Sequence, residues 1–411
     1  MTQPTSTVEH DVLAFVDAHQ AEVLEFARIL IATPSVNPPG DERAVADLVV
    51  ERLAQLGITD VQRLGKSEQR PNLVVRVTPP GTGRTLILSG HLDTKPAGDR
   101  DQWKTDPWDP VLRDGRLIGL GSGDMKVAIA AMVYAAGAVH ASGGTAAGLT
   151  LVFTADEEAG SIFGSRWLAE SGHLKADAAI IGEPSGITQE WESIHLISRG
   201  AALFRVKVFG TQMHSSVSDR LPSVNATVKM ARLIDRMDRE LKGSLTYRGH
   251  PLGGRGPTVN VGVMAKGGVF YGVYPGSAEF ACDIRTLPGM TEAEMRVDLQ
   301  RFLDGAMADD PELHAELAFE IWVPATEISP AEPVVQVLLQ AAETVLGITP
   351  SLDAFPGATD APHFQLTAGI PTVAAFGPGL LPAAHSPNES LAASSAAVAA
   401  RIYALAAARF T

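Results

Sequence analysis

The sequence has one cysteine among 411 residues, no excess of positive charge, and no long uncharged apolar run with the flanks of a membrane span. A single cysteine excludes an intrachain disulfide bond and a cysteine-based zinc site, and Cys282 is expected to be a small buried apolar residue. The net charge is −14, because 47 Asp and Glu outnumber 33 Lys and Arg. We therefore expect no binding to nucleic acid and none to an anionic membrane surface.

What is present suits a globular protein, since 45% of the residues are hydrophobic and 19% are charged. The N-terminal stretch has neither the basic segment nor the apolar core of a signal peptide, so we expect a cytoplasmic protein. A length of 411 residues exceeds what one compact core usually spans and predicts two domains.

Strand and helix patterns alternate up to about residue 190 and resume in the last part of the chain. This alternation predicts a largely parallel sheet covered by helices. The intervening order of strand, helix, strand, strand, helix and strand is that of a ferredoxin-like unit. We therefore predict an α/β fold: a mostly parallel-sheet catalytic domain, residues 1–194 and 324–411, with an inserted α+β domain, residues 195–323.

Sequence signals also predict where individual helices begin and end. One helix is predicted from about Asp11 to Ile31, because Pro34 follows. Asp124 is predicted to open an Ala-rich helix, whose small residues and helical period indicate a packed helix rather than a membrane span. The last helix is predicted to begin at about Glu389.

Four strand-like stretches are each followed by side chains that can bind a metal ion. In open α/β sheets, ligands bind at the carboxyl ends of the strands, so these side chains are expected to share one site. Adjacent acids after a buried strand are costly to hold without a cation beside them. The side chains are His91 and Asp93 after the first stretch, Glu157 and Glu158 after the second, Glu183 after the third and His385 after the fourth.

The spacing of these residues is compatible with metal chemistry, although each alone has an ordinary interpretation as a surface residue. His91 and Asp93 lie on one side of an extended segment, so the carboxylate can hold the ring N–H of a ligating imidazole. Glu157 and Glu158 point in different directions, so one can bind metal while the other carries a proton. Asp124, between glycines, could bridge two metal ions or cap the following helix.

Two histidines, three carboxylates and a free glutamate suit zinc, cobalt or manganese. Two such ions, bridged by a carboxylate and a water, produce a nucleophile at neutral pH and polarise a scissile carbonyl. The free glutamate would then take the proton of the water and pass it to the leaving nitrogen.

Five motifs occur in the order and approximate spacing found in the M20 family of metallopeptidases and deacylases, which the chain resembles over nearly its whole length. The motifs are Gly90-His-Leu-Asp-Thr94, Gly123-Asp-Met-Lys126, Asp156-Glu-Glu158, Gly182-Glu-Pro184 and Ala384-His385.

This resemblance implies a role for each predicted residue. Asp93 is expected to orient His91, and Glu157 is expected to act as the general base. A cis peptide bond is expected between Asp124 and Met125. The resemblance also implies two divalent metal ions, most often Zn²⁺, with Co²⁺ or Mn²⁺ in its place. Their ligands are expected to be His91 and Glu183 for one ion, Glu158 and His385 for the other, and Asp124 for both.

The same resemblance implies that the inserted domain is a lid and a dimerisation domain. His214 is expected to reach the active site of the partner subunit in a homodimer, where it would stabilise the oxyanion. Arg285 is expected to bind the carboxylate of the substrate. Asn260 and the turn at Gly357 match segments that contact substrate.

These expectations give one main hypothesis for function: a metal-dependent hydrolase that cleaves the amide bond of small N-acyl amino acids. A carboxypeptidase or dipeptidase acting on short peptides would use the same dinuclear site. Two further hypotheses are a two-metal phosphoesterase and a non-catalytic binding module. The free Glu157 argues against the binding module.

Overall fold

The fold is that of a computed structural model, which describes residues 7–78, 83–143, 148–254 and 256–411. They divide into two units. The first is Met1–Ile197, Glu327–Phe355 and Thr359–Thr411, and the second is Ser198–Thr326 and Pro356–Ala358.

The helices of the described chain are α1 (Thr7–Ala18), α2 (Gln20–Ile31), α3 (Arg43–Gln55), α4 (Val127–Ala141), α5 (Ser165–Glu170), α6 (Ala226–Ser244), α7 (Glu292–Asp309), α8 (Pro333–Leu346) and α9 (Ser395–Arg409). The first ten strands are β1 (Val61–Leu64), β2 (Asn72–Arg76), β3 (Thr85–His91), β4 (Val111–Arg113), β5 (Arg116–Ile118), β6 (Gly148–Thr154), β7 (Ala178–Ile181), β8 (Pro184–Gly186), β9 (Ser193–Ser198) and β10 (Gly200–Phe209). The next ten are β11 (Met213–His214), β12 (Thr258–Gly267), β13 (Val273–Tyr274), β14 (Ser277–Thr286), β15 (His314–Val323), β16 (Thr326–Glu327), β17 (Ser351–Phe355), β18 (Thr372–Val373), β19 (Gly377–Leu380) and β20 (Ser390–Ala392).

The main sheet of the first unit has six strands in the order β1-β2-β6-β3-β7-β18. Its strands β6, β3, β7 and β18 run parallel, whereas β1 and β2 form an antiparallel edge. The parallel strands are buried almost throughout, as expected where helices cover both faces of a sheet. The predicted α/β fold with a largely parallel sheet is confirmed.

Helix α4 forms the centre of the first unit. Every residue from Val127 to Val139 is buried, and the helix packs against α9, which is also mostly buried. A helix that is apolar on all sides is expected in a core. A second cluster of buried residues places Leu168 of α5 and Phe364 with Ile87 and Val152 of the sheet. Within the described ranges, no helix is both long and apolar enough to cross a membrane.

The helix predicted from Asp11 to Ile31 is two helices, α1 and α2, which are separated at His19. The φ and ψ of this residue are −111° and 15°, and its ring Nδ1 lies 2.7 Å from the carbonyl oxygen of Phe15. Its own carbonyl accepts hydrogen bonds from the N–H groups of Glu22 and Val23. The chain therefore starts a new helix at this point, and the predicted single helix was wrong.

Two other helix starts also differ from the prediction. Asp124 neither opens nor caps α4, because its φ of −125° and ψ of 88° are not helical and the helix begins at Val127. The expected cis peptide bond between Asp124 and Met125 is present. The last helix begins at Ser395 rather than at Glu389, because Ser390–Ala392 forms β20 and pairs with β5.

The second unit has a four-stranded antiparallel sheet in the order β12-β14-β10-β15. With α6 and α7 between the strands in the chain, this is the ferredoxin-like arrangement. Phe204, Phe280 and Ile284 of the sheet share one buried cluster with Leu233 of α6 and Leu299 of α7. The core of this unit therefore lies between the helices and one face of the sheet.

Candidate metal centre

Predicted ligands lie at the carboxyl ends of three neighbouring parallel strands of the main sheet. His91 is the last residue of β3, Glu158 lies in a short 3₁₀ turn after β6, and Glu183 lies between β7 and β8. Strand β3 pairs with β6 on one side and with β7 on the other. The carboxyl ends of these strands therefore bring the three side chains to one edge of the sheet.

The five predicted ligands form two groups that share Asp124. Donor atoms of His91, Asp124 and Glu183 lie within 4.8 Å of one another, and so do donor atoms of Asp124, Glu158 and His385. Asp124 Oδ1 lies 2.8 Å from His91 Nε2, and its Oδ2 lies 3.1 Å from His385 Nε2. Two cations could thus be bound on either side of one carboxylate.

Asp93 lies beside both His91 and the turn that carries the two glutamates. The ring Nδ1 of His91 lies 3.0 Å from the backbone carbonyl oxygen of Asp93 and 3.6 Å from its carboxylate. The carboxylate instead accepts hydrogen bonds from the backbone N–H groups of Glu157, at 3.2 Å, and Glu158, at 3.1 Å. Asp93 therefore holds the turn that carries both glutamates, and its backbone makes the shorter contact with the imidazole.

The two adjacent glutamates have different surroundings. Glu158 Oε1 accepts a hydrogen bond from the backbone N–H of Lys95 at 3.1 Å, and its carboxylate lies 3.2 Å from His385 Nε2. The Glu157 carboxylate has no hydrogen bond or ion pair with any residue that the structure describes. Burial raises the pKa of Glu157 well above its usual value, and the charge of Asp360 adds to this effect. Glu157 is therefore free to exchange a proton.

The electrostatics of the site indicate a deficit of positive charge. Burial lowers the pKa of His91, but the hydrogen bond to Asp124 and the charge of Glu183 outweigh it and raise that pKa well above its usual value. Burial opposes ionisation of Asp124, but bonds to His385 and His91 outweigh it and lower the Asp124 pKa. Burial and the charge of Asp124 raise the pKa of Glu183 well above its usual value.

Divalent cations fit this donor set. Buried carboxylates that crowd together are costly unless positive charge accompanies them. Here His91 Nε2 and His385 Nε2 each face a carboxylate oxygen of Asp124, and metal ions could bind these nitrogens instead. Imidazole nitrogens combined with carboxylate oxygens are the donors that suit zinc and the neighbouring transition metals.

Sequence reasoning missed several residues that position the site. Asn37 donates to Asp93 Oδ2 at 2.8 Å and to Asp156 Oδ1 at 3.1 Å. Arg70 donates to Asp156 at 2.9 Å and to Glu42 at 2.8 Å. These contacts join segments far apart in the chain, so no local pattern predicts them. Glu389, which the sequence predicts as a helix start, accepts the backbone N–H of Asp124 at 3.0 Å. Its only local signal is that it stands as a lone acid before an apolar stretch.

The other predicted site residues lie in the second unit. His214 ends β11, and its side chain is exposed, with its Nδ1 2.8 Å from Ser216 Oγ. Arg285 Nη2 lies 2.8 Å from Asp283 Oδ2. Asn260 of β12 lies opposite Asp283 of β14. Asn260, Asp283 and Arg285 share the face of the four-stranded sheet that is turned away from the buried cluster, because side chains alternate along a strand. His214 lies outside this sheet, since β11 pairs with β13.

Gly357 is in the segment Pro356–Ala358, which groups with the second unit, whereas the sequence interpretation leaves it in the first. Asp360, three residues later, belongs to the first unit and is buried there. Its carboxylate accepts hydrogen bonds from Ser161 at 2.6 Å and Thr154 at 3.0 Å. The turn at Gly357 is therefore followed, three residues later, by a buried carboxylate that is hydrogen-bonded within the first unit.

The paired donor groups, together with the family that the chain matches, define the class of this protein, a metal-dependent amidohydrolase. Residues 87–409 match Peptidase family M20/M25/M40, and the chain belongs to this family. The predicted family resemblance is confirmed.

Two relatives of known name are similar in sequence. A succinyl-diaminopimelate desuccinylase from Parvibaculum lavamentivorans is 30% identical over 356 residues, which cover 84% of this chain and 86% of that protein. Another, from Buchnera aphidicola subsp. Acyrthosiphon pisum, is 34% identical over 201 residues, or 48% of this chain and 52% of the relative. The chain thus spans about half the length of this second relative.

The fold is also similar to that of a solved structure. An M20 family metallo-carboxypeptidase from Sulfolobus solfataricus superposes with a TM-score of 0.77 and 19% sequence identity. The similarity covers 95% of this chain and 99% of that one. At this level of identity, the likeness establishes a shared fold.

Proposed function

We propose that this protein hydrolyses the amide bond of N-acyl amino acids at a site that binds two divalent cations. The observation that carries the proposal is the pair of donor groups sharing Asp124, beside a Glu157 carboxylate with no partner in the described chain. A relative that covers 84% of the chain is a succinyl-diaminopimelate desuccinylase, and this supports deacylation of a small acylated amino acid.

In this proposal each side chain has a distinct task. His91 and Glu183 would hold one cation, Glu158 and His385 the other, and Asp124 both. Bound divalent cations supply polarisation of the scissile carbonyl and lower the pKa of a water molecule. Glu157 would accept the proton of the attacking water and deliver it to the nitrogen of the leaving amine. Asp93 would keep Glu157 in place by accepting its backbone N–H at 3.2 Å.

The second unit would act as a lid and form a homodimer. His214 would donate a hydrogen bond to the developing oxyanion in the partner subunit's site. Arg285 would bind the carboxylate of the substrate through its planar guanidinium group, and Asn260 and Gly357 would contact the substrate nearby. Zn²⁺ is the proposed native metal, Co²⁺ or Mn²⁺ could replace it, and the cytoplasm is the proposed location.

A substrate panel with purified, zinc-loaded protein tests the proposal. The panel contains N-succinyl and N-acetyl amino acids, dipeptides, and an aryl phosphate as a control for phosphoesterase activity. We expect the highest kcat/KM for an acylated amino acid and no hydrolysis of the phosphate. A preference for dipeptides would favour a peptidase instead. Metal-loaded protein that cleaves no amide in the panel would contradict the proposal.

Metal analysis, sedimentation and fractionation test the finer assignments. We expect zinc to predominate in protein purified without added metal. Sedimentation is expected to give the mass of two chains. Cell fractionation is expected to recover the protein with the cytoplasmic contents.

A further inference from the structure

Glu389 is a buried acid for which the proposed reaction has no task. Its side chain is only 1% exposed, and no ion pair joins it to a cation among the described residues. Its carboxylate instead accepts three backbone N–H groups. The donors are Gly121 at 2.9 Å, Gly123 at 2.7 Å and Asp124 at 3.0 Å.

The main chain of Glu389 binds the same segment. Its carbonyl oxygen accepts the N–H of Gly119 at 3.0 Å. The next residue, Ser390, pairs with Ile118 in the ladder between β20 and β5. Glu389 therefore holds residues 119–124 by four hydrogen bonds, next to the pairing of β20 with β5.

The glycines of this segment make the attachment sterically feasible. Gly121 has a φ of +79°, which favours glycine. A side-chain carbon on Gly123 would lie 3.4 Å from Glu389 Oε1, an ordinary van der Waals contact. Gly121 is therefore the position at which the backbone around the carboxylate calls for glycine.

The chemistry of the three donors calls for a carboxylate. Gly121 donates to Oε2, whereas Gly123 and Asp124 donate to Oε1, so both oxygens act as acceptors. Glutamine could offer only one acceptor oxygen and would place an amide N–H₂ against an N–H donor.

The segment that Glu389 attaches carries the residue shared by both donor groups. Asp124 Oδ1 and Oδ2 face His91 and His385, respectively, and Glu389 binds the N–H of Asp124 itself. His385 lies four residues before Glu389 in the chain. We propose that Glu389 is a positioning residue that holds the Asp124 main chain so that its two carboxylate oxygens can bind two cations, an inference that rests on the proposed metal centre.

Zinc binding by Glu389→Gln tests this proposal without substrate. Metal-free protein is titrated with Zn²⁺ in competition with a chromophoric chelator, and the absorption spectrum of the Co²⁺-loaded protein is recorded in parallel. Zinc affinity is expected to fall by about 10- to 100-fold, the usual effect of removing a group that orients a metal ligand. The Co²⁺ bands are expected to change, because Asp124 would no longer be held in one orientation.

Glu190→Gln is the matched control. The Glu190 carboxylate also accepts a backbone N–H, that of Ala392 at 2.8 Å, and the hydroxyl of Ser395, but it does not bind residues 119–124. This variant is expected to bind zinc as the unmodified protein does. An equal loss of affinity in both variants would overturn the proposal, because it would indicate a general loss of structure.

Circular dichroism and thermal melting of the metal-free proteins establish that each variant is folded. If Glu389→Gln does not fold, Glu389→Asp is titrated instead, since it keeps the charge but shortens the side chain by one methylene. Unchanged zinc affinity and Co²⁺ spectrum in the folded variant would overturn the proposal, whatever the substrate panel shows. Weakened binding would support it even where no amide is cleaved, and a wild-type protein that binds no zinc would overturn it together with the metal centre.

Discussion

The two units present their predicted functional residues in contrasting environments. In the first unit, the acidic ligands are buried and lie within reach of one another, and only His385, at 47% exposure, is open to solvent. In the second unit, His214 and Asn260 are exposed, and Arg285 is half-buried beside Asp283. The first set converges within one unit, whereas the side chains of the second set are open to solvent in theirs.

This difference decides whether the environment of each set indicates a ligand. Several carboxylates buried together cost free energy, so their convergence indicates a cation that offsets this cost. An exposed histidine or arginine costs little and gives no such indication. The proposed roles in the second unit therefore depend on a substrate and on a second copy of the chain.

Removal of metal is expected to have the largest effect on activity. Dialysis against a chelator should abolish amide hydrolysis, because the carbonyl and the water lose the polarising charge. Added Zn²⁺ or Co²⁺ should restore it, as measured by the rate of release of free amine. Mg²⁺ serves as the control, because it prefers oxygen ligands and should restore little activity. Full activity after the metal has been removed would contradict the account of the first unit.

The next largest effect is expected for Glu157→Gln. The amide cannot accept the proton of the water, so kcat should fall by about 10²- to 10⁴-fold while two metal ions stay bound. Glu158→Gln is the matched variant: it alters a predicted ligand, so its metal content should fall as well. Kinetics and metal analysis on the same samples separate the two outcomes. Equal metal loss in both variants would contradict the assignment of Glu157 as the base and Glu158 as the ligand.

His214→Ala is expected to reduce kcat by about 10²- to 10³-fold, the usual cost of losing an oxyanion donor. Its melting temperature should stay unchanged, because the side chain is exposed. His314→Ala, at another exposed position of the second unit, should keep full activity. Loss of activity in both variants would argue against a specific role for His214.

Mixing of inactive variants sharpens this test. A heterodimer of Glu157→Gln and His214→Ala contains one site with both residues intact if His214 acts across the dimer. Random reassembly should then recover roughly a quarter of wild-type activity. No recovery, with heterodimer formation verified by mass spectrometry, would place the action of His214 within its own chain.

The smallest of these effects is expected for Arg285→Ala. Loss of a charge-assisted hydrogen bond to the substrate carboxylate should raise KM by about 10- to 100-fold with little change in kcat. Arg205→Ala is the control, because Arg205 lies in the same sheet and pairs with Glu279 and Glu320 instead. Similar KM values for the two variants would show that Arg285 does not bind the carboxylate.

Local patterns in the sequence were enough to predict the parallel sheet and the convergence of the candidate ligands at its edge. His91 ends β3 and Glu183 lies two residues beyond β7, so strand order alone brings them together. The same patterns predicted Asp124 as the start of a helix, because Asp is a preferred residue at the N-terminus of a helix. Its actual backbone depends on Glu389, which is distant in the chain.

The remaining parts of the site depend on contacts that no local pattern encodes. Asn37 and Arg70 reach Asp156 only after the sheet has formed. The break at His19 depends on one side-chain contact with the Phe15 carbonyl, which a periodic apolar pattern does not reveal. Positions of this kind become predictable only when the packed structure is known.

Anomalous diffraction from a zinc-soaked crystal at the zinc absorption edge tests the central claim most directly. The account predicts two peaks, one near His91 and Glu183 and one near Glu158 and His385, each about 2.0–2.2 Å from its ligand atoms and both bound to Asp124. A single peak, peaks at other residues or no peak at all would contradict a dinuclear centre at the edge of this sheet.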